Sequence, residues 1–325
     1  MSRKDRKTRH GKATKGAAIA AFGGGTGLHS LLKGVKAFTD NITAIVAVSD
    51  DGGSSGRLRK EFDILPPGDI RNCLVALADE ESLLADLFRY RFENSDLGGH
   101  SFGNIFITAL TKITGDFGKA IQLANRILSV RGRVLPSTLD RISLEAVHED
   151  GTKTTGEANI SRSSRRIRRL NLRPSPGAPT PEVLEAVRGA DLLVFGPGSL
   201  FTSILPPMLN AGMVDEIKAS RAKKIYVCNI MTQAGETEGF TVADHVESIY
   251  RNTAENLFDC IIINNGAPPE DVLARYAAEG ANPVAIDRDR LARWKATLVI
   301  EDLLFTQAYA RHDPAKLAGA IMKIL

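Results

Sequence analysis

A chain of 325 residues with 43% apolar and 25% charged side chains has the composition of an ordinary globular protein, long enough to bury a core without staples. Its three cysteines, Cys73, Cys228 and Cys260, form no CxxC pair, which excludes a disulfide scaffold and a Cys-rich zinc module and fits a reducing cytosol. The formal charge of +4 comes from residues 1–16, where seven Lys and Arg accompany one acid; the rest of the chain is slightly acidic.

That basic segment, 1–16, reads as a disordered tail, and 17–325 as one large α/β domain. No aromatic residue interleaves the basic ones, which argues against nucleic acid as a partner. No apolar run reaches the ~18 residues of a membrane span, and no signal-peptide core opens the chain, so a membrane is not expected either.

The body opens with a strand over 17–22, the turn Gly23-Gly24-Gly25-Thr26-Gly27, and a helix from 28 to about 38. Such a turn lets backbone approach a ligand, and helix N–H groups bind an anion. It is neither a complete dinucleotide fingerprint, because Leu28 stands where the last Gly belongs, nor a P-loop, because the Lys-Ser/Thr pair is missing. A tight strand–helix turn without a ligand is the alternative. A second apolar run, 42–48, reads as a strand buried on both faces. It ends in Ser49-Asp50-Asp51-Gly52-Gly53-Ser54-Ser55-Gly56-Arg57, where Asp50 and Asp51 can hold a ribose hydroxyl or Mg²⁺ and the Ser and Arg residues suit a phosphate.

Residues 69–131 read as a helical insertion, with helices over 69–79, 82–92, 104–113 and 117–130. Asp69 is placed as an N-cap and Asn72 in the first turn behind it. The loop Gly98-Gly99-His100-Ser101-Phe102-Gly103-Asn104 offers His100, Ser101 and Asn104; a structural role for the histidine is the alternative to acid–base chemistry. Residues 134–180 read as a second insertion, with a small β-hairpin around His148–Thr152. The stretch from Arg162 to Arg173 reads as a solvated loop rather than a polyanion site.

From Pro181 the β/α alternation resumes. A helix over 181–188 leads to a strand over 191–195 and to Gly196-Pro197-Gly198-Ser199-Leu200, which opens a further helix and can cradle phosphate. Strands over 224–228 and 260–263 end at Asn229 and Asn264, whose amides either bind a ligand or cap the strand ends. Two more apolar stretches, 283–286 and 296–300, read as edge strands. The whole pattern predicts a doubly wound, mostly parallel sheet with ligands at its C-terminal edge.

Phe22 to Gly27, Ser49 to Arg57, Pro67 to Asn72, Gly99 to Asn104 and Gly196 to Leu200, in this order, resemble one family, the YvcK-type gluconeogenesis factors of bacteria, related to the CofD-like 2-phospho-L-lactate transferases. The resemblance spans about residues 17–325. It implies a Rossmann-like fold, a cytoplasmic location, and a nucleotide or UDP-sugar ligand of the UDP-N-acetylglucosamine kind. It also implies a role in cell shape and wall-precursor metabolism during gluconeogenic growth. The transferase relatives move a phospholactyl group from a guanine dinucleotide-type donor to a deazaflavin with Mg²⁺, which would place metal on Asp50 or Asp51 here.

The expected ligand-binding set is Gly24, Gly25, Thr26, Gly27, Asp50, Asp51, Ser54, Ser55, Arg57, Asn72, Asn104, Gly198, Ser199 and Asn229. The resemblance adds Tyr276, a flat face for stacking, and Arg311, a forked cation for a diphosphate. Their alternatives are packing on a neighbouring helix and pairing with Asp313. None of these motifs offers a nucleophile–base pair or a metal triad, which favours a non-catalytic regulator; group transfer by positioning and charge stabilisation is the alternative. A homo-oligomer is compatible with the sequence.

Overall fold

The computed structural model describes residues 16–79, 82–94 and 96–325, so the basic tail expected over 1–16 lies, apart from Gly16, outside the described residues. The first half of the chain runs β1 (Ile19–Gly23), α1 (Gly25–Val35), β2 (Ile42–Val46), α2 (Gly53–Phe62), α3 (Gly68–Leu77), α4 (Leu83–Arg89), α5 (Phe102–Thr114), α6 (Phe117–Ile127) and β3 (Arg133–Pro136). Next come β4 (Ser143–His148), β5 (Lys153–Thr155), α7 (Glu157–Ile160), β6 (Ile167–Arg173) and α8 (Pro181–Arg188). The remaining strands are β7 (Leu192–Phe195), β8 (Lys223–Val227), β9 (Cys260–Asn264), β10 (Thr297–Glu301), β11 (Leu304–Thr306) and β12 (Ala310–His312).

Seven strands form one sheet in the order β10-β9-β8-β7-β1-β2-β3, and every pairing in it is parallel. The sheet is therefore doubly wound, and its order reverses between β1 and β7. Alternate residues of each strand enter different cores. Ala20, Phe22, Phe195 and Tyr226 face one side, where the inward residues of β4 and β6 cover them. Ile19, Ala21, Val194 and Ile225 face the other, under α1, α3 and the closing helix Pro314–Met322. Burial on both faces explains why these strands are continuous apolar runs. Phe22 stacks on Phe195 at 4.8 Å between ring centroids, and Phe258 extends the aromatic row to Tyr226 at 5.4 Å.

Several expectations need correction. The Gly-Ser-Ser-Gly-Arg segment, given no helix in the sequence reading, is the first part of helix α2, and the chain between Gly132 and Ser137 holds the edge strand β3. The second half of the arginine-rich stretch, Ile167–Arg173, is strand β6 rather than loop: Ile167, Leu170 and Leu172 are buried, and the strand pairs with β4 to make a three-stranded antiparallel sheet with β5, while Arg162, Arg165 and Arg166 precede it outside any strand. Residues 283–286 make only isolated bridges, from Pro283 to Met231 and from Ala285 to Thr241; of the two stretches expected at an edge, only the second forms a strand, β10. Helix α1 begins inside the glycine turn, at Gly25 rather than at Leu28.

Candidate functional site

The loops after β1 and β7 meet at the reversal of strand order. Gly27 lies against the backbone of Pro197 and Gly198, so close that a Cβ at position 27 would run into the Pro197 carbonyl. Asn229, just beyond β8, fastens the second loop from both sides: its Oδ1 accepts the Gly198 N–H at 3.0 Å and its Nδ2 donates to the Gly198 carbonyl at 2.8 Å. Ser199 then caps a π-helical turn, Leu200–Ile204, accepting the Thr202 N–H at 3.2 Å.

A cleft of about 250 Å³ opens beside this junction. One wall is the first turn of α1, with Thr26, Gly27 and Ser30; the base is Gly198, Ser199 and Asn229. The far wall is built from residues 230–233, Tyr276 and strand β12. Ile230, Met231, Val272 and Ala310 form a small apolar cluster of their own, against which Tyr276 packs. Tyr276 donates its hydroxyl to the Ala310 carbonyl at 3.3 Å and meets Tyr309 edge to face, so it packs on the β11–β12 hairpin. Arg311 is exposed at the mouth and has no hydrogen-bond or ion-pair partner among the described residues. Asp313 does not pair with it, because its carboxylate caps the closing helix through Ala315 and Lys316. His312 also lines the cleft; burial pushes its pKa down to about 4, so the ring is neutral.

The structure thus brings Thr26, Gly27, Gly198 and Ser199 together with Asn229, Tyr276 and Arg311. The other expected residues form a second group, at the starts of α2, α3 and α5 beside the C-terminal end of β2. Gly24 joins the two groups: a Cβ there would collide with the Asp69 carboxylate. Asp69 is not an N-cap. Helix α3 starts behind Pro67, and the Asp69 carboxylate, inside its first turn, accepts the Gly25 N–H instead. Burial, and then the charge of Asp50, push the Asp69 pKa up to about 6. Burial, with Asp50, Asp69, Glu236 and Asp51 behind it, pushes Glu157 up to about 9.

Asp50 and Asp51 each spend one oxygen on a backbone N–H, Asp50 on Gly52 and Asp51 on Ala158, both at 2.9 Å. Among the described residues no three His, Cys, Asp or Glu side chains converge as metal ligands do. Ser54 Oγ lies 2.8 Å from His100 Nδ1 and accepts the Asn104 amide at 3.0 Å. Ser55 is buried and packs on Gly68. Arg57 points outward and donates to the Gly98 carbonyl at 2.7 Å. The Asn72 side chain is taken by Arg71 at 2.6 Å. Asn264 is a strand-end cap, closed on Gly266 and on the Leu303 N–H.

Sequence reasoning missed Gln233 and Glu236. Glu236 is 2% exposed and accepts hydrogen bonds from Ser199, Ser161 and Gln233. An acid inside the polar run 232–241 carries no local signal of burial; only its place beyond β8, the strand paired with β7, brings it to the serine loop.

The profile of the family described as "2-phospho-L-lactate transferase CofD" matches residues 19–304. The gluconeogenesis factor of Halalkalibacterium halodurans is 46% identical over 307 residues, covering 94% of this chain and 95% of that one. The gluconeogenesis factor of Bacillus subtilis is 44% identical over 309 residues, covering 94% and 98%. A crystal structure of a protein from Bacillus halodurans superposes with a TM-score of 0.92 at 46% identity, covering 95% of this chain and 100% of that chain. Fold, motif order and these likenesses agree: the chain belongs to the CofD-type 2-phospho-L-lactate transferase family, among its gluconeogenesis factors.

Proposed function

We propose that the cleft binds a nucleotide sugar of the UDP-N-acetylglucosamine kind. On this reading the chain is a ligand-binding regulator that serves cell shape and wall-precursor metabolism during gluconeogenic growth. The names of its relatives support the gluconeogenesis-related part. The observation that carries the ligand is the company Arg311 keeps: an unpaired exposed cation faces two glycine loops across one cleft. The first N–H groups of α1 have no partner within their helix, and at Thr26 and Gly27 they border this space, ready for phosphate oxygens. The apolar cluster under Tyr276 gives a base or sugar ring a surface to rest on. A solvent-exposed arginine with no partner costs nothing to recruit, whereas a paired one would have to break an ion pair first.

Arg311→Ala and Tyr276→Ala are each expected to lower UDP-N-acetylglucosamine affinity at least about tenfold, ~1.4 kcal/mol, with both variants still folded. Calorimetry on both folded variants tests this; wild-type affinity in both would remove the far wall from the site.

One observation supports the transferase alternative. The Ser54–His100 contact at 2.8 Å has nucleophile–base geometry, and burial, with the Arg57 charge, lowers the His100 pKa so that the ring stays a neutral acceptor. A panel of nucleotide donors with and without acceptors separates the two readings. Binding without product in any combination supports the regulator, and acceptor-dependent product supports the transferase.

A further inference from the structure

Glu236 sits behind the cleft and holds two of its walls. Its Oε2 accepts the Ser199 hydroxyl, and its Oε1 accepts Gln233 Nε2 at 2.9 Å and Ser161 Oγ at 3.1 Å. Ser199 and Gln233 both line the cleft. The hydroxyl of Ser199 is saturated. It accepts the Thr202 N–H at 3.2 Å and the Thr202 O–H at 2.6 Å, and its one proton goes to Glu236. A serine at the base of an anion site therefore aims its only proton away from the anion, at a buried carboxylate.

No cation lies within ion-pair distance of Glu236 among the described residues. Arg165, Arg166 and Glu238 border the small hollow on its outer side, and Glu157 is the acid whose charge couples to it from α7. A diphosphate in the cleft adds negative charge in front of a carboxylate that already lacks a counter-ion.

We propose that a diphosphate ligand binds this cleft with uptake of a proton by Glu236, which thereby positions Ser199 toward the phosphate. The inference rests on the cleft being the diphosphate site. The proton comes from solvent and forms an O–H bond at Glu236 Oε2. That O–H donates to Ser199 Oγ, and the Ser199 hydroxyl proton turns from Glu236 to a phosphate oxygen. Thr202 is free to swing its hydroxyl to Glu236 Oε1, 3.4 Å away. No other bond is made or broken. Burial already holds the Glu236 carboxyl above the usual carboxylate range, against the pull of its hydrogen bonds from Ser199 and Ser161. Glu236 is a positioning residue, since it acts on the ligand through Ser199.

The test is calorimetry of UDP and UDP-N-acetylglucosamine between pH 7 and 8.5, in HEPES and in Tris, whose ionisation heats differ. The full chain is expected to take up a proton on binding, and its affinity to fall by up to about tenfold per pH unit as pH rises. Glu236→Gln keeps an amide to bond Ser199 and Gln233, and is expected to bind with the same heat in both buffers and an affinity steady to about threefold across the range. Glu157→Gln and Asp69→Asn, which neutralise the two neighbouring carboxyls whose pKa values are raised to about 9 and about 6, are each expected to keep the uptake. Equal heats in both buffers for the full chain, or uptake that survives Glu236→Gln or vanishes with Glu157→Gln or Asp69→Asn, overturns the proposal and leaves the cleft assignment standing. No binding of either nucleotide by the full chain overturns the cleft assignment itself. Should Glu236→Gln lose its near-ultraviolet circular dichroism, Ser199→Ala decides instead, because uptake that persists without the serine hydroxyl also overturns the proposal.

Discussion

Gly27→Ala is expected to weaken nucleotide-sugar binding at least about a hundredfold, ~2.8 kcal/mol, the largest loss from any single methyl group in this molecule. Position 27 is where α1 and the loop after β7 touch through backbone, and the added Cβ would fall on the Pro197 carbonyl and within 2.8 Å of the Gly198 nitrogen. Neither neighbour is the end of a flexible side chain. Gly198 is moreover tied to Asn229 by two hydrogen bonds, so the loop cannot yield without breaking them. The methyl group must then push α1 and the loop apart, which widens the cleft between Thr26 and Ser199. Overpacking of this sort also costs about 1–3 kcal/mol of stability, so the variant should still fold. Calorimetry and a thermal melt on the same sample decide the matter; near-native affinity would mean that the two loops do not jointly hold the ligand.

The second large effect is on stability and depends on pH. Glu157 has a folded pKa of about 9 where an ordinary glutamate sits near 4.5, so the folded state binds this proton more tightly than the unfolded state does. The stability it contributes is complete below the ordinary value and is lost as pH rises toward 9, at up to about 1.4 kcal/mol per unit. Its side chain is half-buried, which reduces the full effect. Glu157→Gln, which cannot ionise, is therefore expected to be more stable than the parent by ~2–4 kcal/mol at pH 8 and nearly equal to it at pH 5. Asp69, raised to about 6, adds a smaller loss in the same direction. Urea unfolding at the two pH values measures it, and a difference that is the same at both would show that Glu157 acts through packing rather than charge.

The parts of the fold that were legible in the sequence are those written in a run of like residues. Ile42 to Val46 and Cys260 to Ile263 are buried on both sides, so nothing breaks their apolar run. The glycine loops were legible because glycine clusters have few other uses between a strand and a helix. Helix α2 was hidden because Gly53, Ser54, Ser55 and Gly56 are poor helix formers, held helical by the packing of Gly56 on Asp51 and of Ser55 on Gly68. Strand β6 was hidden by its exposed arginines, since one face of an antiparallel strand looks like a solvated loop unless Ile167, Leu170 and Leu172 are seen to face a partner. Asp69 misled because a short acid after Pro-Gly looks like a cap, whereas its true partner, Gly25, lies far away in sequence. In the site, Tyr276 and Arg311 sit on different elements, brought to one wall by the packing of Tyr276 on Ala310 and Tyr309 and its hydrogen bond to the Ala310 carbonyl. Local pattern marks the glycine loops, and tertiary structure alone shows what faces them.

The central place of β1 also sets a timetable for synthesis. This first strand pairs on one side with β2, close behind it, and on the other with β7, where the paired backbone of Ala18 and the Asp191 side chain are 173 residues apart. A ribosome adding ~5–20 residues per second needs roughly 10–35 s to deliver that partner. For that interval β1, β2 and β3 can form only a three-stranded fragment, with the β1 edge open and Phe22 and Ala20 uncovered on the side that Phe195 will later fill. An apolar open edge is what aggregation and holding chaperones both recognise. The nascent chain is therefore expected to lean on chaperones until β7 emerges, and a transplant of β7 ahead of β1 by circular permutation should shorten that dependence.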